Sequence, residues 1–200
     1  MTRTASKAET ARRLETTDLV FCAMFVALIA IGAFIHIMIP LGLFEVTFSL
    51  QFLFALLAGF ILGKKLGFLS VVVYLIVGLA GVPIYAHGGG LGYLMKPTYG
   101  FLIGFAVAAF LAGLLKEKLG RITLPKLIFA AFVGEMAYYA CGLIYYYLMF
   151  NFVLANGSIG VVELFSVWFL STVAPDFLLA VLAAVLARKL IPLYERIRAH

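Results

Sequence analysis

Charged residues are scarce in this chain of 200 residues. Asp, Glu, Lys and Arg make up 12% of the sequence, against roughly 25% in a typical soluble domain. Hydrophobic residues make up 65%, against roughly 45–50%, and the mean hydropathy is +1.14. A soluble domain of this size has no interior large enough for so many apolar side chains. The composition therefore excludes a disordered chain, a disulfide-stabilised secreted domain and a soluble enzyme, and it indicates a protein that lies in lipid.

Sequence signatures of catalysis and metal binding are also missing. The two cysteines, Cys22 and Cys141, both lie in apolar runs, where we expect inert buried thiols. No Cys/His spacing is typical of a metal site, and no Ser/His/Asp order, H-E-x-x-H motif or G-x-x-x-x-G-K-[ST] phosphate loop is present. We therefore expect no metal, no cofactor, no catalytic residue and no nucleotide hydrolysis within this chain.

Long apolar segments separated by charges dominate the sequence instead. A membrane-spanning helix needs about 20 apolar residues, because it rises about 1.5 Å per residue across about 30 Å of hydrocarbon. We predict an all-α integral membrane protein with a bundle of six transmembrane helices in residues 19–190, between tails at 1–18 and 191–200. The predicted spans are 19–44, 46–63, 66–82, 101–115, 127–150 and 164–187.

Lysine and arginine lie almost entirely on one side of these predicted spans. Lys96 is the exception among the 15 basic residues, and the others fall in the two tails, the turn between spans 2 and 3, and the loop between spans 4 and 5. The positive-inside rule makes that side cytoplasmic. We therefore expect both termini to be cytoplasmic and the chain to be a multi-pass protein of the cytoplasmic membrane. The net charge of +6 then reflects the orientation of the chain in the membrane and does not indicate nucleic-acid binding.

Two acidic residues interrupt the apolar runs. Asp176 lies near the middle of span 6 directly after Pro175, and Glu135 lies about 13 Å into span 5 at helical rise. Each acid in a helix centre carries an insertion cost of about 2.5–3.5 kcal/mol, which favours a functional role. The alternative for Asp176 is a structural polar contact between helices. The alternative for Glu135 is a protonated carboxyl that is hydrogen-bonded to a neighbouring helix. General acid/base chemistry in a membrane-embedded enzyme and a proton relay in a secondary transporter also remain open.

The connection between spans 3 and 4 combines glycine, tyrosine and one cation. Glycines let a backbone approach a ligand closely, tyrosines supply flat apolar walls, and Lys96 supplies a positive charge for an anionic group. This pattern predicts a lid over a pocket that opens outward, although an ordinary flexible external loop would have a similar composition. The candidate substrate-binding residues are Lys96, Asp176, Tyr85, Tyr93, Tyr99, Gly89, Gly90, Thr98, Tyr139 and Glu135.

Small residues repeat at helical spacing on three of the predicted spans. Such stripes allow close helix contacts in lipid, either within the bundle or with another membrane subunit. The stripes are Ala23, Ala27 and Ala30 on span 1; Gly100, Gly104, Ala108 and Ala112 on span 4; and Ala180, Ala184 and Ala187 on span 6.

Two motifs around the glycine-rich connection resemble one known family. Gly78-Leu79-Ala80-Gly81-x-Pro83 and Pro97-Thr98-x-Gly100-Phe101-Leu102 are similar to the BioY family, the biotin-specific substrate-binding subunits of energy-coupling factor transporters. Leu50-Gln51 with Leu56-Leu57-Ala58-Gly59, and Asp176 with Ala180-Val181-Leu182-Ala183, also resemble that family. The resemblance covers roughly residues 46–190.

The resemblance implies a membrane protein that binds a vitamin from outside and docks on a transmembrane coupling subunit with two ATPase subunits. It places the docking face on Ala23, Ala27 and Ala30, and a ligand contact on Asp176. Leu179 stands where the family commonly has a lysine, and Lys96 stands where it usually has glycine. We hypothesise that Lys96 takes over the pairing with the ligand carboxylate. Biotin is the expected ligand, with lipoate or another small carboxylate as the alternative.

Overall fold

The computed structural model describes residues 15–41, 44–120, 122–154 and 159–198. Its helices are α1 (Thr16–Phe34), α2 (Gln51–Leu79), α3 (Tyr99–Lys118), α4 (Leu124–Leu148), α5 (Val161–Leu164) and α6 (Ser171–Arg198). Strands β1 (His36–Leu41) and β2 (Phe44–Ser49) form an antiparallel hairpin. A 3-10 turn covers Leu91–Met95, and π-helical segments cover Met149–Val153 and Phe165–Leu170. Most of the predicted N-terminal tail, with its basic residues, lies outside the described residues.

The predicted span 19–44 is wrong in its second half. Helix α1 ends at Phe34, and the chain continues into the β1–β2 hairpin. Two features of the sequence explain the change. Pro40 has no backbone N–H and clashes with a preceding helical turn, and the segment around it alternates β-branched residues with other side chains, a pattern that favours strands. Apolar length alone does not distinguish this hairpin from a helix.

A reversal at Gly63 divides α2. Gly63 has φ +83° and ψ 177°, a left-handed backbone conformation that favours glycine. A Cβ built on Gly67 would lie 2.6 Å from the Cα of Gly59, although these residues would be about 12 Å apart along a straight helix. The two halves of α2 therefore run antiparallel and pack through glycines. Glu117 accepts a hydrogen bond from the Lys64 backbone N–H at 3.1 Å beside this turn.

Five helices in the described part of the chain are long and apolar enough to cross a membrane. They are Thr16–Phe34, Gln51–Leu79, Tyr99–Lys118, Leu124–Val153 and Thr172–Arg198. The second of these contains the reversal at Gly63.

Two of the three small-residue stripes face the interior of the bundle. On α3, Gly100 packs directly on Tyr145, and a Cβ on Gly104 would lie 2.8 Å from the carbonyl oxygen of Tyr138. On α6, the three alanines of the stripe are fully buried in the core. These stripes therefore serve close packing of α3 against α4 and of α6 against its neighbours.

The stripe on α1 faces outward. Ala23 and Ala27 are exposed and Ala30 is half-buried, while Phe25 and Ile29 on the other face are buried against the bundle. The small side chains of α1 thus remain available to a partner helix.

Candidate functional site

A cavity of about 70 Å³ lies where the first turns of α2, α3 and α6 and the middle of α4 meet the connection between α2 and α3. Polar side chains and aromatic rings share its wall. The polar group comprises Ser49, Gln51, His87, Tyr93, Thr98, Thr172 and Asp176. The aromatic group comprises Phe52, Phe101, Phe105 and Tyr138. Such a mixture can bind a small molecule with an apolar body and a few polar groups.

Asp176 is the acidic group in the cavity wall. Its side chain is 5% exposed, and the Tyr139 O–H donates a hydrogen bond to its Oδ2 atom at 2.5 Å. The Tyr139 and Thr172 hydroxyl oxygens are 2.7 Å apart, and Thr172 lies one turn before Asp176 on α6. Tyr139 is therefore not a wall residue of the cavity but a support behind Asp176. An ionised carboxylate held in this way can accept N–H groups of a ligand.

Gln51 is a cavity residue that sequence reasoning passed over as a binding group. Its Nε2 donates to the Tyr74 hydroxyl at 2.6 Å, and the Tyr74 hydroxyl donates to the carbonyl of Ile84 at 3.2 Å. Ser49 Oγ donates to Gln51 Oε1 at 3.2 Å. This chain of bonds fixes the amide at the start of α2. In the sequence, Gln51 is distinguished by being the one amide side chain in the predicted span 46–63.

The glycine-rich connection is a packed turn. The Gly90 N–H donates to the carbonyl of Gly78 at 2.7 Å, and Tyr85 and Gly88 exchange backbone hydrogen bonds at 2.9 and 3.2 Å. Gly89 lies so close to the carbonyl of Val82 that a side chain could not fit. Gly90 has φ +97°. These glycines hold the connection against the end of α2. Gly89 and Gly90 do not line the cavity themselves, whereas Ala86, His87 and Tyr93 of the same connection do.

Tyrosines predicted to surround a ligand occupy two layers. Tyr93 lines the cavity, while Tyr85 and Tyr99 pack behind it with ring centroids 4.5 and 6.2 Å from that of Tyr93. Tyr85 is fully buried, and its hydroxyl donates to the carbonyl of Leu75 at 2.5 Å. Burial raises the pKa of the Tyr93 hydroxyl, and a hydrogen bond with the His87 backbone opposes that shift. The cluster thus keeps a neutral, rigid ring in the cavity wall.

Lys96 lies outside the cavity wall but in contact with it. Its side chain is half-buried, and its Nζ atom is 4.6 Å from the ring centroid of Tyr93. Because Tyr93 also lines the cavity, the ammonium group contacts a residue of the cavity wall. Thr98, two residues later, lines the cavity itself.

Glu135 is set apart from the cavity wall. It is 0% exposed and lies one helical turn before Tyr139 on α4. Both of its carboxyl oxygens lack a hydrogen-bond partner among the residues that the structure describes. The structure therefore brings together Asp176, Tyr93 and Thr98 at the cavity, with Tyr139 behind Asp176, and places Glu135 deeper in the bundle.

Comparisons with known proteins give a consistent result. The sequence model described as the BioY family matches residues 4–196. The chain is 39% identical over 188 residues to the probable biotin transporter BioY of Lysinibacillus sphaericus, covering 94% of this chain and 93% of the relative. It is 33% identical over 178 residues to the corresponding protein of Pyrococcus horikoshii, covering 88% and 98%. A crystal structure of the S-component for biotin from an ECF-type ABC transporter matches with a TM-score of 0.76 and 26% identity, over 89% of this chain and 94% of that chain.

Proposed function

Because the chain belongs to the BioY family, we propose that it is the substrate-binding S component of an energy-coupling factor transporter and that its ligand is biotin. It is a multi-pass membrane protein and a transport subunit, not an enzyme. ATP hydrolysis belongs to partner subunits, which in this proposal are a transmembrane coupling subunit and two ATPases. The observation that carries the ligand assignment is the Tyr139-supported carboxylate of Asp176 in the cavity wall.

The proposed topology has six crossings with both termini in the cytoplasm. The reversal at Gly63 supports it, because the two halves of α2 then cross separately. The first half is short, at about 18 Å of helix. Lys64 and Lys65 follow the reversal and lie on the side that carries most of the basic residues. The cavity is then at the outer face, where a vitamin would arrive.

In this site, Asp176 accepts hydrogen bonds from the ureido N–H groups of biotin. Tyr93 and the phenylalanines of the wall pack its ring system and apolar chain. Lys96 at the rim pairs with the carboxylate at the end of that chain. Gly89, Gly90 and Thr98 shape the edge between these groups, whereas Tyr85 and Tyr99 support Tyr93 from behind.

Biotin should bind to the purified protein about 100-fold more tightly than lipoate. Lipoate has a carboxylate and an apolar ring but no ureido donors, so its binding leaves the buried acceptor of Asp176 without a partner. A buried unsatisfied group costs about 1–3 kcal/mol, and each 1.4 kcal/mol is tenfold in affinity. Calorimetric titration of both ligands measures the ratio. Equal affinities would contradict the ureido contact, and tighter lipoate binding would change the assigned ligand.

The exposed stripe on α1 is the proposed docking face for the coupling subunit. Ala23, Ala27 and Ala30 allow a partner helix to approach the α1 backbone closely. The substitution Ala27→Trp should reduce co-purification of the coupling subunit by about tenfold, because a large ring prevents that approach. Biotin binding by the isolated subunit should not change. Ala140→Trp, at an exposed alanine of α4, is the matched control. Equal co-purification of both variants would exclude this face.

A further inference from the structure

Glu135 is a buried acid without a role in the proposed ligand contacts. Its side chain is 0% exposed, and neither carboxyl oxygen has a hydrogen-bond partner among the described residues. A charged carboxylate in such a place is strongly disfavoured, whereas a neutral carboxylic acid is tolerated. The surroundings of Glu135 therefore favour the protonated form.

Asp176 lies in a different environment. The Tyr139 hydroxyl donates to its carboxylate, and its side chain reaches the cavity. Glu135 and Tyr139 are four residues apart on α4 and so share a face of that helix. Asp176, bonded to Tyr139, is also an electrostatic neighbour of Glu135, and two carboxylates so placed are not both ionised readily. The geometry assigns the negative charge to Asp176 and the proton to Glu135.

Among the residues that the structure describes, no basic group pairs with Glu135. At the adjacent Gly134, α4 contacts Ala108 of α3 and Leu56 of α2, neither of which titrates. Asp176 on α6 and Tyr138 on α4 are its electrostatic neighbours. The nearest basic residue of α6 in sequence is Arg188, about 18 Å along the helix from Asp176. Because the site is closed and apolar, we expect a proton, and not a larger cation, to neutralise Glu135.

We propose that Glu135 is a proton-binding site beneath the ligand cavity and that tight biotin binding requires Glu135 protonated while Asp176 is charged. This proposal rests on the proposed contact between Asp176 and the ligand. When pH rises and Glu135 loses its proton, a second negative charge appears next to Asp176. The pair is then doubly charged, and the added negative charge repels the carboxylate of biotin and makes the bundle beneath the cavity less stable. Affinity should therefore be full where Asp176 is charged and Glu135 still carries its proton, and it should fall as a further rise in pH removes that proton.

The experiment is a titration of the purified chain with biotin at about pH 7 and about pH 9. The parent protein should lose affinity by about tenfold or more at the higher pH. The substitution Glu135→Gln, which imitates the protonated acid, should keep the low-pH affinity within about threefold and remove the fall. Glu195→Gln, at an exposed acid near the end of α6, should behave as the parent does.

Two results would overturn the proton site. One is equal biotin affinity of the parent at both pH values, and the other is an undiminished fall in Glu135→Gln. Thermal unfolding without ligand gives a second measurement, with Glu135→Leu as a further variant. The midpoint of the parent relative to that of Glu135→Leu should drop as pH rises, and a constant difference would contradict the proposal. Absence of biotin binding by the parent at about pH 7 would instead overturn the proposed function, and the unfolding comparison would still decide the proton site.

Discussion

Replacing Asp176 by leucine should lower the affinity for biotin by about 100-fold or more. The substitution removes the acceptor of the two ureido N–H groups, which then become buried without partners, at about 1–3 kcal/mol each. It also leaves the Tyr139 hydroxyl without its acceptor in the bundle. Leucine suits the apolar surroundings, so the variant should fold. Calorimetric titration with biotin at about pH 7 measures the loss, and thermal unfolding confirms that the bundle is intact.

Companion substitutions separate the parts of this site. Lys96→Gln should lower the affinity by about tenfold, because the rim charge is partly solvated and contributes less than a buried one. Tyr139→Phe keeps the ring and removes the hydroxyl that supports Asp176, with a loss of similar size. Glu163→Leu, at an exposed acid of α5, should bind biotin as the parent does. If Asp176→Leu binds biotin like the parent, the proposed ligand contact is wrong.

The sequence predicts the helical membrane fold because that information is local. Apolar length, the position of charges and the small-residue stripes each concern residues close together in the chain. The same local reasoning fails for residues 35–44, since apolar length is common to a helix and to a hairpin, and only Pro40 and the β-branched pattern distinguish them. Gly63 is a comparable case, because the left-handed conformation at that position is not visible in hydropathy.

The candidate site is only partly predictable, because side-chain direction depends on tertiary packing. Asp176 stands out as an acid in an apolar run, and the structure places it in the cavity wall. The sequence does not distinguish Tyr85 from Tyr93, yet Tyr93 lines the cavity and Tyr85 is buried behind it. Gln51 enters the cavity because the reversal at Gly63 sets the start of α2 beside Tyr74, a proximity of residues 23 positions apart.

The longest-range polar contact that sequence reasoning missed joins α1 to α6. Asp18 is 1% exposed and accepts hydrogen bonds from the Tyr194 hydroxyl at 3.0 Å and from the Arg198 guanidinium at 2.8 Å. The Arg198 side chain is itself 10% exposed. These partners are about 180 residues apart in sequence, so charge counting treats Asp18 as an ordinary residue of a tail. The structure makes it a buried link between the two terminal helices.

Asp18→Ala should destabilise the protein by about 3 kcal/mol, because the Arg198 guanidinium then keeps, among the described residues, only the more exposed Glu15 as a counter-charge, at 3.9 Å. Thermal unfolding of the purified chain should show a midpoint lower by on the order of 10 °C. Glu117→Ala breaks the more exposed pair with Lys64 and should change stability by only about 1 kcal/mol or less.

A double substitution tests whether the buried charge is the cause. Replacing both Asp18 and Arg198 by leucine removes the uncompensated charge as well as the link, so stability should return close to that of the parent. Recovery in the double variant, with loss in Asp18→Ala, identifies desolvated Arg198 as the source of the destabilisation. If the double variant is as unstable as the single one, the loss comes instead from the hydrogen bonds that Asp18 accepts from the Tyr194 hydroxyl and from the Glu15 backbone N–H. An unchanged midpoint in Asp18→Ala would contradict the buried link itself.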